Sequence, residues 1–143
     1  MTGNTTFAMI KPDAFEAGKG GKILGHIEAS GYAIRAMRLV RLTRTEAEAF
    51  YEVHRGRPFY EELVSFMSSG RAVALKLEKA DAVAAWRATI GATDPAEAAA
   101  GTIRKLFAES KGRNAVHGSD SDENAAREVA FFFPERELAL LGH

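Results

Sequence analysis

The chain has 143 residues, 46% hydrophobic and 27% charged, which is enough for one domain with a real core. Its 19 Lys and Arg balance 19 Asp and Glu, which argues against a general binder of nucleic acid or of an anionic membrane, since either needs a basic excess. There is no cysteine, so a disulfide framework and thiolate chemistry are both excluded. No apolar run approaches a membrane span and no signal-peptide pattern opens the chain, so it reads as a single cytoplasmic domain over residues 1–143.

Thr5-Thr6-Phe7-Ala8-Met9-Ile10-Lys11 predicts a first strand, stopped by Pro12-Asp13. Lys11, its last residue, is either a solvated lysine or a fixed cation at the rim of a sheet. Gly18-Lys19-Gly20-Gly21-Lys22 has the look of a phosphate-binding loop but fails its spacing. No glycine stands five residues before a Gly-Lys pair, and Ile23 follows where Ser or Thr is needed. The stretch reads instead as the flexible start of a helix with Ile23, Leu24 and Ile27 on one face, ended by Gly31. Tyr32 to Leu42 predicts a long strand that is apolar on both sides, Ile34 and Val40 on one and Met37 and Leu39 on the other. Such a strand is covered twice or meets another subunit.

Thr43-Arg44-Thr45-Glu46 is a capping box and predicts a helix running through Phe50, Tyr51, Val53 and His54, with Tyr51 and His54 on one face. Gly56-Arg57-Pro58 breaks it. A second helix follows over Phe59 to Met67, with Phe59 turned outwards at its start. Arg71 to Leu77 alternates as a third strand, and Ala80 to Ile90 predicts a helix with Val83, Trp86 and Ile90 inwards and Arg87 beside that stripe. Residues 92–112 form a long excursion, in which Asp94-Pro95-Ala96-Glu97 predicts a short helix and Thr93 and Arg104 are the notable polar groups. Ser121 caps a helix closed by Glu128, Val129 to Phe133 predicts the fourth strand, and Pro134-Glu135 opens a last helix. The order is a βαββαβ framework: α+β, ferredoxin-like, with a four-stranded antiparallel sheet, surrounding helices and a long inserted loop.

That loop leads into Arg113-Asn114-Ala115-Val116-His117-Gly118-Ser119-Asp120-Ser121. An imidazole titrates near 6.5, so in general most of it is an uncharged nucleophile at neutral pH. Gly118 removes a side chain beside the ring, which would admit a bulky group. A lone histidine also serves as a metal ligand, a satisfied core residue or part of a polar loop, and the segment alone leaves these uses open.

Asn114-Ala115-Val116-His117-Gly118-Ser119-Asp120-Ser121 closely resembles the active-site signature of nucleoside diphosphate kinases. Ile10-Lys11-Pro12-Asp13-Ala14, Phe50-Tyr51 with His54, Arg57-Pro58-Phe59, Gly91-Ala92-Thr93-Asp94-Pro95, Gly101-Thr102-Ile103-Arg104 and Ala126-Arg127-Glu128 resemble further motifs of that family, in its order and nearly its spacing. The resemblance implies transfer of a terminal phosphoryl group from a nucleoside triphosphate to a nucleoside diphosphate through a phosphohistidine at His117. It implies Lys11, Arg87 and Arg104 as the cations, with Mg²⁺ on the outer phosphates. Thr93, Tyr51 and His54 would bond around the phosphates and His117, and Lys11 and Asn114 would hold the ribose hydroxyls. Phe59 would stack on the base, while Glu128, helped by Ser119, would fix the imidazole tautomer. The family also implies a homo-oligomer built from dimers, a tetramer or a hexamer. Lys105-Leu106 and Ala100 depart from its usual pattern.

Three other readings bear on the same residues. An RNA-recognition module would need exposed strand aromatics in a basic setting, whereas Phe7, Phe131 and Phe133 look buried and net charge is zero. A phosphocarrier or inactive nucleotide-binding module would keep the pocket without turnover. A metal site on His54 and His117 lacks a recognisable ligand spacing.

Overall fold

The computed structural model describes residues 3–142; Met1, Thr2 and His143 of the expected domain lie outside them. Four strands, β1 (Thr5–Ile10), β2 (Ala33–Arg41), β3 (Arg71–Glu78) and β4 (Val116–Gly118), form one sheet in the order β2-β3-β1-β4, and every neighbouring pair is antiparallel. This is the expected ferredoxin-like arrangement. Helices α1 (Pro12–Glu16) and α2 (Gly20–Ala29) follow β1, and α3 (Arg44–Phe50) and α4 (Tyr60–Met67) join β2 to β3. Helix α5 (Ala82–Ile90) and the shorter α6 (Ile103–Phe107) precede β4, and α7 (Asp122–Phe132) and α8 (Glu135–Leu140) close the fold.

Strand β1 is buried on both faces, so its alternation divides the core in two. Phe7 and Met9 pack with Phe50, Tyr51, Met67, Phe132 and Phe133 on one side of the sheet. Ala8 and Ile10 pack with Ile23, Ile27, Leu75, Trp86, Ile90 and Val116 on the other. His117 pairs with Met9 across the ladder, and its ring meets Phe7 and Phe50. It therefore stands on the aromatic side, while Gly118 turns to the Trp86 side.

The structure departs from the sequence expectations at three places. Val129 to Phe133 is not a strand: α7 continues to Phe132, past the expected close at Glu128. Ala125, Glu128, Val129 and Phe132 are its buried residues, a helical spacing that the apolar run Val129–Phe133 serves as well as a strand's. The fourth strand is instead the three-residue β4, too short for an alternation pattern to reveal. Asp94 to Glu97 makes isolated turns, Glu97 N–H to Asp94 O and Asp94 Oδ1 accepting from Ala96, with no helix following. Helix α3 ends at Phe50, and a separate 3-10 turn, Glu52–His54, carries His54. Pro12-Asp13 ends β1 by opening α1, with the proline in its first turn. The capping box is as expected, with Thr43 Oγ1 accepting from Glu46 N–H at 3.1 Å and Glu46 Oε1 from Thr43 N–H at 2.9 Å.

Candidate functional site

The structure gathers the predicted residues, Arg87 excepted, into three groups, the first of them on His117. In the first, His117 Nε2 lies 2.7 Å from Glu128 Oε1, and Ser119 Oγ donates to that same oxygen at 2.8 Å. Helix α7 supplies Glu128 from the face that it buries, in the helix where the sequence places it. Both members of the pair are largely shielded from water, so the charge on Glu128 acts with little screening. With Glu128 accepting, Nε2 carries the ring proton and Nδ1 holds the lone pair. No described residue bonds Nδ1.

The second group lies just upstream. Lys11 Nζ donates to Asn114 Oδ1 at 2.9 Å, and Asn114 Nδ2 donates to the Thr93 carbonyl at 3.4 Å. Burial lowers the pKa of Lys11 to about 8, with Arg104 adding to the effect and Asp13 opposing it. Arg104 is only 8% exposed. Its guanidinium donates to the carbonyls of Val116 at 2.9 Å, Gly91 at 3.0 Å and Asn114 at 3.4 Å. Burial, then the neighbouring charge of Arg87, brings its pKa down to about 10, which still leaves it charged at neutral pH. The family resemblance gives Arg104 a role on phosphate; the structure adds a second one, bracing the backbone that carries His117.

The third group is a chain of rings. Phe59 meets His54 at 5.3 Å between centroids, His54 stacks on Tyr51 at 6.2 Å, and Tyr51 meets His117 edge-on at 6.4 Å. Phe59, 47% exposed, faces outwards as expected. The Tyr51 hydroxyl is buried without a hydrogen-bond partner among the described residues. Burial and then the charge of Glu128 raise its pKa, so it stays a donor. Arg87 stands apart. It is exposed in the last turn of α5 and lines a cavity of about 430 Å³ with Gly91, Thr93, Thr102 and Arg104. Neither His117 nor Phe59 lines that cavity.

Residues that sequence reasoning passed over fix the histidine's backbone. Val116 N–H bonds the Asn114 carbonyl at 2.8 Å around Ala115, whose φ is +73°. This is a γ-turn of the rare, strained hand. Ala115 N–H donates to Asp13 Oδ2 at 2.9 Å, and Lys11 N–H donates to the Ala115 carbonyl at 2.8 Å. Strain of this kind costs about 1–3 kcal/mol, and a hydrogen bond to a charged acceptor returns a similar amount, about 1.5–3 kcal/mol, so the Asp13 bond alone is large enough to hold the turn. Trp86 Nε1 donates to the His117 carbonyl at 3.1 Å. A Cβ on Gly118 would lie 2.7 Å from Trp86 Cδ1, so the glycine makes room for the indole and not, as expected, for a substrate. Arg127 of α7 donates to the Ala49 and Phe50 carbonyls and so ties the end of α3, next to Tyr51, to the helix that carries Glu128.

No three His, Asp or Glu side chains converge on a metal-sized site among the described residues. No helix among them is long and apolar enough to cross a membrane.

The family model for nucleoside diphosphate kinase matches residues 4–138. The chain is 58% identical over 137 residues to the nucleoside diphosphate kinase of Flavobacterium psychrophilum, covering 96% of this chain and 99% of that protein. It is 54% identical over 134 residues to that of Sorangium cellulosum, covering 94% and 93%. Among solved structures it superposes on the Aquifex aeolicus nucleoside diphosphate kinase with a TM-score of 0.91 and 47% identity, covering 94% of this chain and 97% of that one. A halophilic nucleoside diphosphate kinase from Halobacterium salinarum, solved in complex with CDP, gives a TM-score of 0.87 and 38% identity, covering 93% and 89%. The chain belongs to the nucleoside diphosphate kinase family and is an enzyme of that activity.

Proposed function

We propose that this kinase moves the γ-phosphoryl group of a nucleoside triphosphate, mainly ATP, to a nucleoside diphosphate in two half-reactions through His117. The observation that carries this reading is the His117–Glu128 pair, 2.7 Å apart, with Nδ1 left unbonded by the described residues. Nδ1 attacks the γ-phosphorus. The N–P bond forms as the bond to the β–γ bridging oxygen breaks, and the nucleoside diphosphate leaves with that electron pair. The ring is then cationic with its proton still on Nε2, and the Glu128 carboxylate offsets the charge. A terminal oxygen of the incoming diphosphate attacks the phosphorus and reverses the step.

The phosphoryl group in flight spreads negative charge over its oxygens, so fixed cations and donors govern the rate. Lys11, Arg104 and Arg87 are the cations; Arg87 has no hydrogen-bond partner on its guanidinium among the described residues. The Tyr51 hydroxyl, the Thr93 side chain and His54 are the neighbouring donors. Lys11 and Asn114 hold the ribose hydroxyls, and Phe59 stacks on the base through a π-face that barely distinguishes one base from another. The relative solved in complex with CDP supports a nucleotide as the ligand. Mg²⁺ arrives on the outer phosphates as part of the substrate, since a pocket of cations and amides suits phosphate oxygens and repels a bare metal ion.

The enzyme is proposed to be cytoplasmic and to assemble from dimers into a tetramer or hexamer. Support for assembly comes from β2, an edge strand whose Met37 and Leu39 are 56% and 55% exposed. His117→Gln tests the chemistry. It should abolish turnover while nucleotide binding and the fold persist; an active His117→Gln enzyme would overturn the mechanism.

A further inference from the structure

Lys11 and Asp13, two residues apart at the end of β1 and the start of α1, grip the same residue, 102 positions away for Asp13. The Lys11 amide binds the Ala115 carbonyl and the Asp13 carboxylate binds the Ala115 amide. Ala115 is the strained centre of the γ-turn, is fully buried, and with Val116 separates Asn114 from His117. An aspartate in the first turn of a helix ordinarily faces water, yet Asp13 is 6% exposed. Its other oxygen, Oδ1, is buried with no hydrogen-bond partner among the described residues. Burying a carboxylate for one hydrogen bond is unfavourable unless the bond or the charge does something that a neutral side chain could not.

We propose that Asp13 is a positioning residue for phosphoryl transfer: its carboxylate, bonded to the Ala115 amide, holds the positive-φ turn that sets Asn114 and His117 in place together. Remove the bond and Ala115 relaxes towards negative φ. That swings the peptide on either side, so Asn114 leaves Lys11 and Nδ1 leaves the line of attack. The charge has a second effect. The charged groups that bear on Lys11 are Asp13 from α1 and Arg104 from α6, with the neutral Asn114 amide bonded to it, and only Asp13 favours the protonated ammonium. This role rests on the reading of His117 as the nucleophile.

The test compares wild type, Asp13→Ala, Asp13→Asn and the double variant Asp13→Ala with Ala115→Gly. Phosphorylation of the protein by γ-labelled ATP is followed in a single turnover by rapid quench, beside kcat, KM and thermal melting. Asp13→Ala should slow labelling about a hundredfold, the scale of loss that small displacements of a reacting group produce, with KM changed far less. Asp13→Asn, whose amide oxygen still accepts from Ala115, should regain most of that rate at neutral pH. Its kcat/KM should fall at lower pH than wild type on the alkaline side, because the charge favouring protonated Lys11 is gone. The double variant should label faster than Asp13→Ala, since glycine adopts φ near +73° without strain. Folded Asp13→Ala that labels at the wild-type rate would overturn the proposal. Equal losses in the Ala and Asn variants, with no gain from Ala115→Gly, would also overturn it. Should Asp13→Ala fail to fold, the double variant decides: recovery of fold and labelling by Ala115→Gly supports the role, and a double variant that folds no better or does not label counts against it. Absence of label on His117 in wild type would sink the nucleophile reading itself, a separate failure.

Discussion

Between Asn114 and His117 every backbone carbonyl accepts a hydrogen bond, from Val116, Lys11, Arg104 and Trp86 in turn. Between Tyr51 and Phe59 the functional side chains meet only ring to ring, and Phe59 is half open to solvent. In the proposed function His117 meets the phosphoryl group, and Phe59, at the far end of the ring chain from His117, meets the base. A nucleophile must be held to a fraction of an ångström, because misplacement acts directly on the barrier. A base platform has to accept any base, and a ring on a solvent-facing turn presents area without direction. Rigidity is concentrated where the bond is made, and tolerance where the substrate varies.

The contrast can be broken from its rigid side first. Lys11→Ala removes a half-buried cation and its bond to Asn114 Oδ1 at once. The expected loss is about 10²- to 10³-fold in kcat, the scale for one preorganised electrostatic group, against little change in melting temperature. In the wild type Lys11 is charged below its pKa of about 8 and neutral above it. In the proposed role the charged form is the useful one, so kcat/KM should fall as pH rises through about 8, and that limb should vanish in Lys11→Ala. A limb unchanged in the variant would assign the titration to another group. Glu128→Ala leaves the ring cation of the intermediate unopposed and the tautomer unset; kcat should drop about 10²-fold, with KM nearly constant. Phe59→Ala is the smallest. Stacking contributes roughly 1–3 kcal/mol, so KM should rise about tenfold with kcat kept. A large fall in kcat at unchanged KM would show that the ring platform is as tightly coupled to the chemistry as the His117 segment, and the contrast would fail.

Features legible in the sequence were those that depend on near neighbours. The Thr43–Glu46 box is closed within one helical turn, and the alternation of Arg71–Leu77 needs only its own strand. The assignment of Val129–Phe133 failed because an apolar run of five satisfies helix and strand equally, and only packing against Phe7 and Phe50 decides. Strand β4 is visible as a strand only from Met9 across the ladder. His117 stands out in its own segment, its pairing with Glu128 and Ser119 follows only from the family pattern, and the structure puts the three within hydrogen-bond reach. Asp13 reads in the sequence only as part of a strand stop, because nothing near it in the chain announces a partner at Ala115. Gly118 was given the wrong reason for the same cause, since Trp86 is 32 positions away in sequence and 2.7 Å from the missing Cβ.

The most direct test of the phosphohistidine at His117 uses purified enzyme, Mg²⁺ and γ-labelled ATP with no acceptor, followed by a chase with unlabelled GDP. Label that is acid-labile and alkali-stable should appear on His117 and leave quantitatively as GTP. Label that stays on the protein through the chase would contradict turnover and favour a phosphocarrier. No label from folded protein that binds ATP would contradict the covalent mechanism altogether.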